Sequence, residues 1–192
     1  MILIALCVVF LLGLVAVGGR VSDLADIEVR RGWLAPVAFV MQAYLIFFPG
    51  ERGGGLLSGR SLILICSYGL LFVVIWYNRR LPGVKLIGLG LLLNFLVMVL
   101  NGGFMPITPE ALVQTGYDVN ARQLETGYLV ARSKNIVMGS GEARLWFLSD
   151  VLVLPNPFPL PSVMSVGDIL IAAGVFYFLY GRMMGKARVS WG

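Results

Sequence analysis

Two aspartates are the residues of this chain best placed to do chemistry. Asp150 lies between apolar runs in residues 145–154, and Asp168 stands at the mouth of the last apolar run. A carboxylate at membrane depth marks ion, proton or substrate handling by default. Each also has a plainer use. Ser165-Val166-Gly167-Asp168 has the spacing of a Ser-x-x-Asp capping box, in which both side chains satisfy backbone N–H groups at a helix start. That spacing accounts for Asp168 without a ligand. Asp150, which follows Ser149, has no such local explanation. A buried carboxylate needs a base, a cluster of backbone donors or water, and Arg144 is the nearest basic side chain in the sequence.

The residues around the aspartates suggest a site or a docking point. Asn101-Gly102-Gly103 closes an apolar run, and Met105-Pro106 follows. Asn or Gly in the left-handed conformation caps a helix C-terminus, and a proline beyond it prevents resumption. Two glycines with an asparagine exceed what a cap needs, so close approach of this backbone to a segment or ligand is the sharper reading. Asn94 lies one heptad before Asn101 on the same helix face. The two could line a cavity, although hydrogen bonding between helices is the commoner use of such side chains, as for Gln42, Ser67 and Tyr68. The candidate pocket or loop-docking set is Asn94, Asn101, Gly102, Gly103, Met105, Pro106, Ser149, Asp150, Ser165, Gly167 and Asp168.

Much chemistry is missing. The chain has no histidine, which removes His-ligated haem and the usual zinc and di-iron sites. Cys7 and Cys66 sit in apolar runs and read as small buried hydrophobes. There is no Walker motif, dinucleotide fingerprint or Gly-x-Ser-x-Gly turn. No catalytic residue, metal site or cofactor is assigned.

The elements that must position these residues are membrane helices. Of 192 residues, 58% are hydrophobic and 13% charged, against about 25% charged in a soluble domain. Lipid must replace water over much of the surface. The fold expected is all-α, a single integral membrane domain over 1–192 with five spans near 2–17, 33–48, 61–77, 84–100 and 166–184. A run of ~20 apolar residues is needed to cross a bilayer, so flanking residues must contribute. The first run lacks a basic n-region and reads as a retained helix rather than a signal peptide. Trp33, Trp76, Tyr77 and Tyr180 sit at span ends as an aromatic belt.

Basic residues orient the spans. Arg20, Arg30 and Arg31, then Arg79, Arg80 and Lys85, then Arg182, Lys186 and Arg188 fall on one side in short segments. The other side has Arg52 and Arg60, with Arg122, Arg132, Lys134 and Arg144 spread over the long loop. Positive-inside counting puts the N-terminus outside, the C-terminus in the cytoplasm and loop 101–165 outside a cell inner (plasma) membrane. The net charge of +5 reads as orientation and anionic-lipid contact rather than nucleic-acid binding.

The loop has local order of its own. Thr108-Pro109-Glu110 starts a short helix, and Asn120 with Gln123 forms a second capping box. Residues 128–131 and 136–138 could pair as a hairpin. Residues 145–154 are too apolar for water and too short to span. Pro155, Pro157, Pro159 and Pro161 then favour extended chain, so 145–161 reads as re-entrant or interfacial. In the last helix, Gly167, Gly174, Gly181 and Gly185 form a small-residue packing stripe.

Asn101-Gly102-Gly103-x-Met105-Pro106, then Phe147-Leu148-Ser149-Asp150, then Ser165-x-Gly167-Asp168 resemble a family of small bacterial integral membrane proteins catalogued as a domain of unknown function. The resemblance covers the second half of the chain, and the first half only as generic apolar helices. It implies about five spans and a shared loop architecture, and no activity. That family often has a basic residue at the position of Phe104, so this chain departs there. The function expected from the residues is a non-catalytic accessory or partner-binding subunit, bound to the lipid bilayer and a membrane-protein partner or a second copy. The alternative is a small-molecule or lipid-handling transporter or membrane enzyme with its pocket among Asn101, Asp150 and Asp168.

Overall fold

The computed structural model describes residues 2–25, 27–48, 58–115, 120–131, 133–139, 141–154 and 162–184. The protein is mostly helical. Helices α1 (Ile2–Ala16), α2 (Ser22–Ala25), α3 (Leu34–Phe47), α4 (Gly59–Asn78) and α5 (Val84–Leu100) come first. A cap follows, built from β1 (Met105–Ile107), α6 (Pro109–Gln114), β2 (Asn135–Val137), β3 (Leu152–Leu154) and β4 (Ser162–Met164). Helix α7 (Val166–Met183) closes the described chain. A helix stands at each of the five apolar runs. Of these, α4 and α7 are long and apolar enough to cross a membrane, while α3 and α5 are shorter.

The long helices pack as a row, α3 on α4, α4 on α5, α5 on α7 and α7 on α1. Gln42 Nε2 donates to Ser67 Oγ across α3 and α4 at 3.4 Å, and the rings of Phe10 and Phe176 join α1 to α7 at 5.0 Å. The most extensive contact is α5 against α7. It is made by glycine. A Cβ at Gly83 would fall 2.0 Å from the Gly174 carbonyl oxygen, and one at Gly90 would fall 2.4 Å from that of Gly167. One heptad separates the glycines on each helix, so the antiparallel backbones touch at two successive levels. The stripe of Gly167 and Gly174 is therefore occupied by α5 of the same chain. Gly181 is buried further along α7, and Gly185 lies outside the described residues.

The cap corrects the all-α expectation. Strand β1 pairs in parallel with β2, Met105 opposite Asn135 and Ile107 opposite Val137, and β3 pairs antiparallel with β4. Pro106 fits because Met105 N–H and the Ile107 carbonyl serve the β2 side, leaving proline's missing N–H on the other flank. Leu129 and Ile136 form one antiparallel bridge. Ile107, Ala111, Leu112 and Val137 make a small core within the cap, distinct from the bundle core of Leu45, Leu64, Tyr68, Val97, Met98 and Met105. The helix starts at Thr108 and Asn120 carry the side-chain caps their sequences specify. The proline-rich residues 155–161 lie outside the described residues. Cys66 is exposed on α4 rather than buried.

The glycine contacts define a stability test. Gly167→Ala would place a methyl 2.2 Å from Asn94 Oδ1 and 2.7 Å from the Gly90 carbonyl oxygen, which we expect to cost about 1–3 kcal/mol. Gly69→Ala on α4 meets nothing within 4 Å and should be neutral or stabilising by up to ~1 kcal/mol. Thermal unfolding of the two variants in one detergent measures the difference, and equal melting temperatures would contradict the packing.

Candidate functional site

The candidate residues gather where α5 ends, α7 begins and the cap closes over both. Ser165 and Asp168 make the capping box: Asp168 N–H donates to Ser165 Oγ at 3.0 Å, and Ser165 N–H donates to Asp168 Oδ2 at 3.2 Å. Asn94, reaching from α5, engages both halves. Its Nδ2 donates to Asp168 Oδ1 at 2.9 Å, and its Oδ1 accepts from Ser165 Oγ at 2.7 Å. Asn94 is 2% exposed and Ser165 is fully buried. This contact exists because Gly167 has no side chain, since a Cβ there would occupy the place of the Asn94 amide.

Asn101 has a different partner. Its Nδ2 donates to the Val97 and Arg144 carbonyls at 2.8 and 2.9 Å, and its Oδ1 accepts from Arg144 N–H at 2.9 Å. One amide thus ends α5 and clips the backbone of the cap to it. Asn94 and Asn101 thus engage different partners. Gly102 and Gly103 both have positive φ, 69° and 85°, and Gly103 N–H donates to the Met98 carbonyl at 2.8 Å. Gly103 also meets Arg60: a Cβ there would lie 3.4 Å from the Arg60 side chain. Cap and close approach are both present at this turn.

Arg60 belongs to this junction, although its sequence context gave no sign of it. Its Nε donates to the Gly103 carbonyl at 3.2 Å, its Nη1 to the Leu45 carbonyl at 2.9 Å, and its guanidinium lies 3.8 Å over the Phe104 ring. A cation from α4 thus stands over the Phe104 ring. Met105 and Pro106 are buried beside it in β1.

Asp150 is 3% exposed, and its Oδ2 accepts from Asn135 Nδ2 at 2.6 Å. Its Oδ1 is buried without a hydrogen-bond partner among the described residues. Asp150 N–H donates to the Pro106 carbonyl at 3.3 Å, extending β1 on the flank opposite β2. Ser149, also buried, donates to the Trp146 carbonyl. The partner expected from sequence, Arg144, is not the one found: its backbone is held by Asn101, and its side chain is exposed. The charge facing Asp150 is the half-buried Lys134, which also acts on Asp168. Lys134 and Asn135 are supplied by the turn into β2, where local sequence gives no sign that a cation faces two carboxylates. Burial pushes the Asp150 carboxyl up to about 6; Lys134 and Asn135 oppose that shift, and Asp168 adds to it. Burial works against the Lys134 ammonium, yet Asp150 and Asp168 hold its pKa above the ordinary lysine value.

These shifts set a pH dependence. A carboxyl whose folded pKa lies above its unfolded 3.8 contributes stability below that value and loses it as pH rises to about 6. Melting temperature should fall across that window in the wild type and flatten in Asp150→Asn. Lys134 works at the other end, contributing below 10.5 and losing its effect above its raised pKa. At neutral pH, Lys134→Met should cost about 1–3 kcal/mol by stranding a buried carboxylate, and Asp150→Asn in the same chain should recover part of it. Undiminished loss in the double variant would mean Lys134 does not serve Asp150.

A relative from Thermotoga maritima, described as an uncharacterized protein, is 27% identical over 160 residues, covering 83% of this chain and 80% of that protein. No solved structure matches the chain. The Family of unknown function DUF5317 matches residues 26–180, a stretch that holds α3 to α5, the whole cap and most of α7, and the chain belongs to that family.

Proposed function

We propose that this is a five-span inner-membrane protein, N-terminus outside and C-terminus in the cytoplasm, whose cap serves a membrane partner as a non-catalytic docking platform. The observation that carries this reading is how the polar candidates are used. Asn94, Ser165 and Asp168 are committed to hydrogen bonds that fasten helix to helix, Asn101 to bonds that fasten cap to bundle, and Ser149 to a bond within its own turn of the cap. A rigid cap on apolar helices is what they build. The membrane setting is supported by the row itself, because only 33% of the most apolar window of α4 and 28% of that of α7 is buried. An exposed row of apolar helices needs lipid around it.

The partner surface lies on the cap and on α3. Trp146 and Phe147 are about half exposed, while Leu145 and Leu148 of the same turn pack into the bundle core. This geometry suits interfacial seating of the 145–154 segment at the membrane surface. On α3, Val37, Val40, Tyr44 and Phe47 form an exposed stripe at helical spacing, on the edge of the row. Gly167 and Gly174 of the α7 stripe take no part, being filled by α5.

A second reading rests on one atom. Asp150 Oδ1 is buried with no hydrogen-bond partner among the described residues, on a carboxyl that burial pushes up to about 6 against the opposing charge of Lys134. That is the place where a small-molecule or ion-handling protein would exchange a proton.

Two measurements test these readings. With Cys7 and Cys66 replaced by serine, an impermeant thiol reagent added outside should label Thr126→Cys and spare Lys85→Cys until the membrane is opened; the reverse pattern overturns the orientation. Purification from native membrane in mild detergent should recover a stoichiometric partner or a second copy, weakened by Val40→Ser with Phe47→Ser. Recovery of a lone monomer would count against the docking role.

A further inference from the structure

The end of the bundle away from the cap has a groove of about 460 Å³ between the α4–α5 turn and α7. Arg79, Arg80 and Lys85 line its polar side, and Leu86 and Tyr177 its apolar side. The described residues lining it include no carboxylate. All three cations are exposed. Arg79 is held in place, with its Nη1 donating to the Trp76 carbonyl at 2.9 Å and its guanidinium 4.1 Å over the Trp76 ring. The first turn of α5 adds to the same wall, since its N-cap, Gly83, provides no side-chain cap. Gly83 is fixed there by contact with Gly174, so the α5–α7 packing leaves those N–H groups without a side-chain oxygen.

We propose that this groove binds the headgroup of an anionic phospholipid. Two guanidinium groups, an ammonium and an uncapped helix start suit a phosphate oxyanion. The apolar side decides between a lipid and free phosphate. From Leu86 the wall continues along exposed Leu89 on α5, and from Tyr177 to exposed Ala173 one turn along α7. Acyl chains attached to a bound phosphate would lie along that wall, whereas free phosphate would use only the cations. The proposal rests on the five-span orientation, which sets this groove at the cytoplasmic headgroup level, where anionic lipid is met.

The test uses the full chain. Membranes are first extracted with alkaline carbonate: release into solution overturns both the membrane reading and this site, and retention supports the membrane reading alone. The protein purified in neutral detergent is then titrated with phosphatidylglycerol or phosphatidylcholine of identical chains, and bound lipid is counted by native mass spectrometry. Wild type should hold one phosphatidylglycerol about tenfold more tightly than phosphatidylcholine. Arg80→Gln with Lys85→Gln should abolish the preference, and Arg122→Gln with Arg144→Gln, an equal loss of charge in the cap, should keep it. If the double variant does not fold, Lys85→Gln alone should reduce the preference. Equal retention of both lipids overturns the site. So does equal loss in the cap control, which would reduce the effect to net charge. Inorganic phosphate that binds through Arg80 and Lys85 while both lipids are held equally would assign the groove to free phosphate and overturn the lipid assignment.

Discussion

The close approach of α5 and α7 is the constraint on which the rest depends. Gly83 and Gly90 meet Gly174 and Gly167 at backbone distance, closer than any side chain would permit. That distance lets a side chain as short as asparagine span the two helices. Asn94 can then hold both residues of the Ser165–Asp168 capping box, which fixes where α7 starts and where β4 must end. In water such a seam would gain from apolar burial; among apolar helices in lipid it depends on close van der Waals contact and a few well-made hydrogen bonds.

The cap is built on that mouth by a second set of backbone clips. Asn101 ends α5 and grips Arg144, Arg60 ties the ends of α3 and α5 together, and Met105–Ile107 leaves the bundle as a strand flanked by β2 and Asp150. Long loops of this kind expose backbone polar groups that must be satisfied. Here short strands and single side chains do that for the described residues of the loop, which build a lid on the bundle. Asp150 and Lys134 sit inside this frame, and Asp150 Oδ1, buried with no hydrogen-bond partner among the described residues, is the point where its design is least closed.

The two ends of the bundle differ in kind. At the cap end Asp150 is buried and Arg60 is engaged with backbone carbonyls. At the other end Arg79, Arg80 and Lys85 stand exposed around a groove.

What the sequence determined by itself was whatever depends on neighbours along the chain. The apolar runs, the caps at Thr108, Asn120 and Ser165, and the left-handed glycines after Asn101 follow from spacing of a few residues, because a helix end must be satisfied locally. The tertiary structure decided the pairings. Arg144 was the nearest base to Asp150 along the chain, yet Asn101 holds the Arg144 backbone and Lys134 faces Asp150 instead. The glycine stripe on α7 was legible, but nothing in it named α5 rather than another helix as its partner. Apolar periodicity marks where a surface is, and only the arrangement of the helices in space decides what covers it.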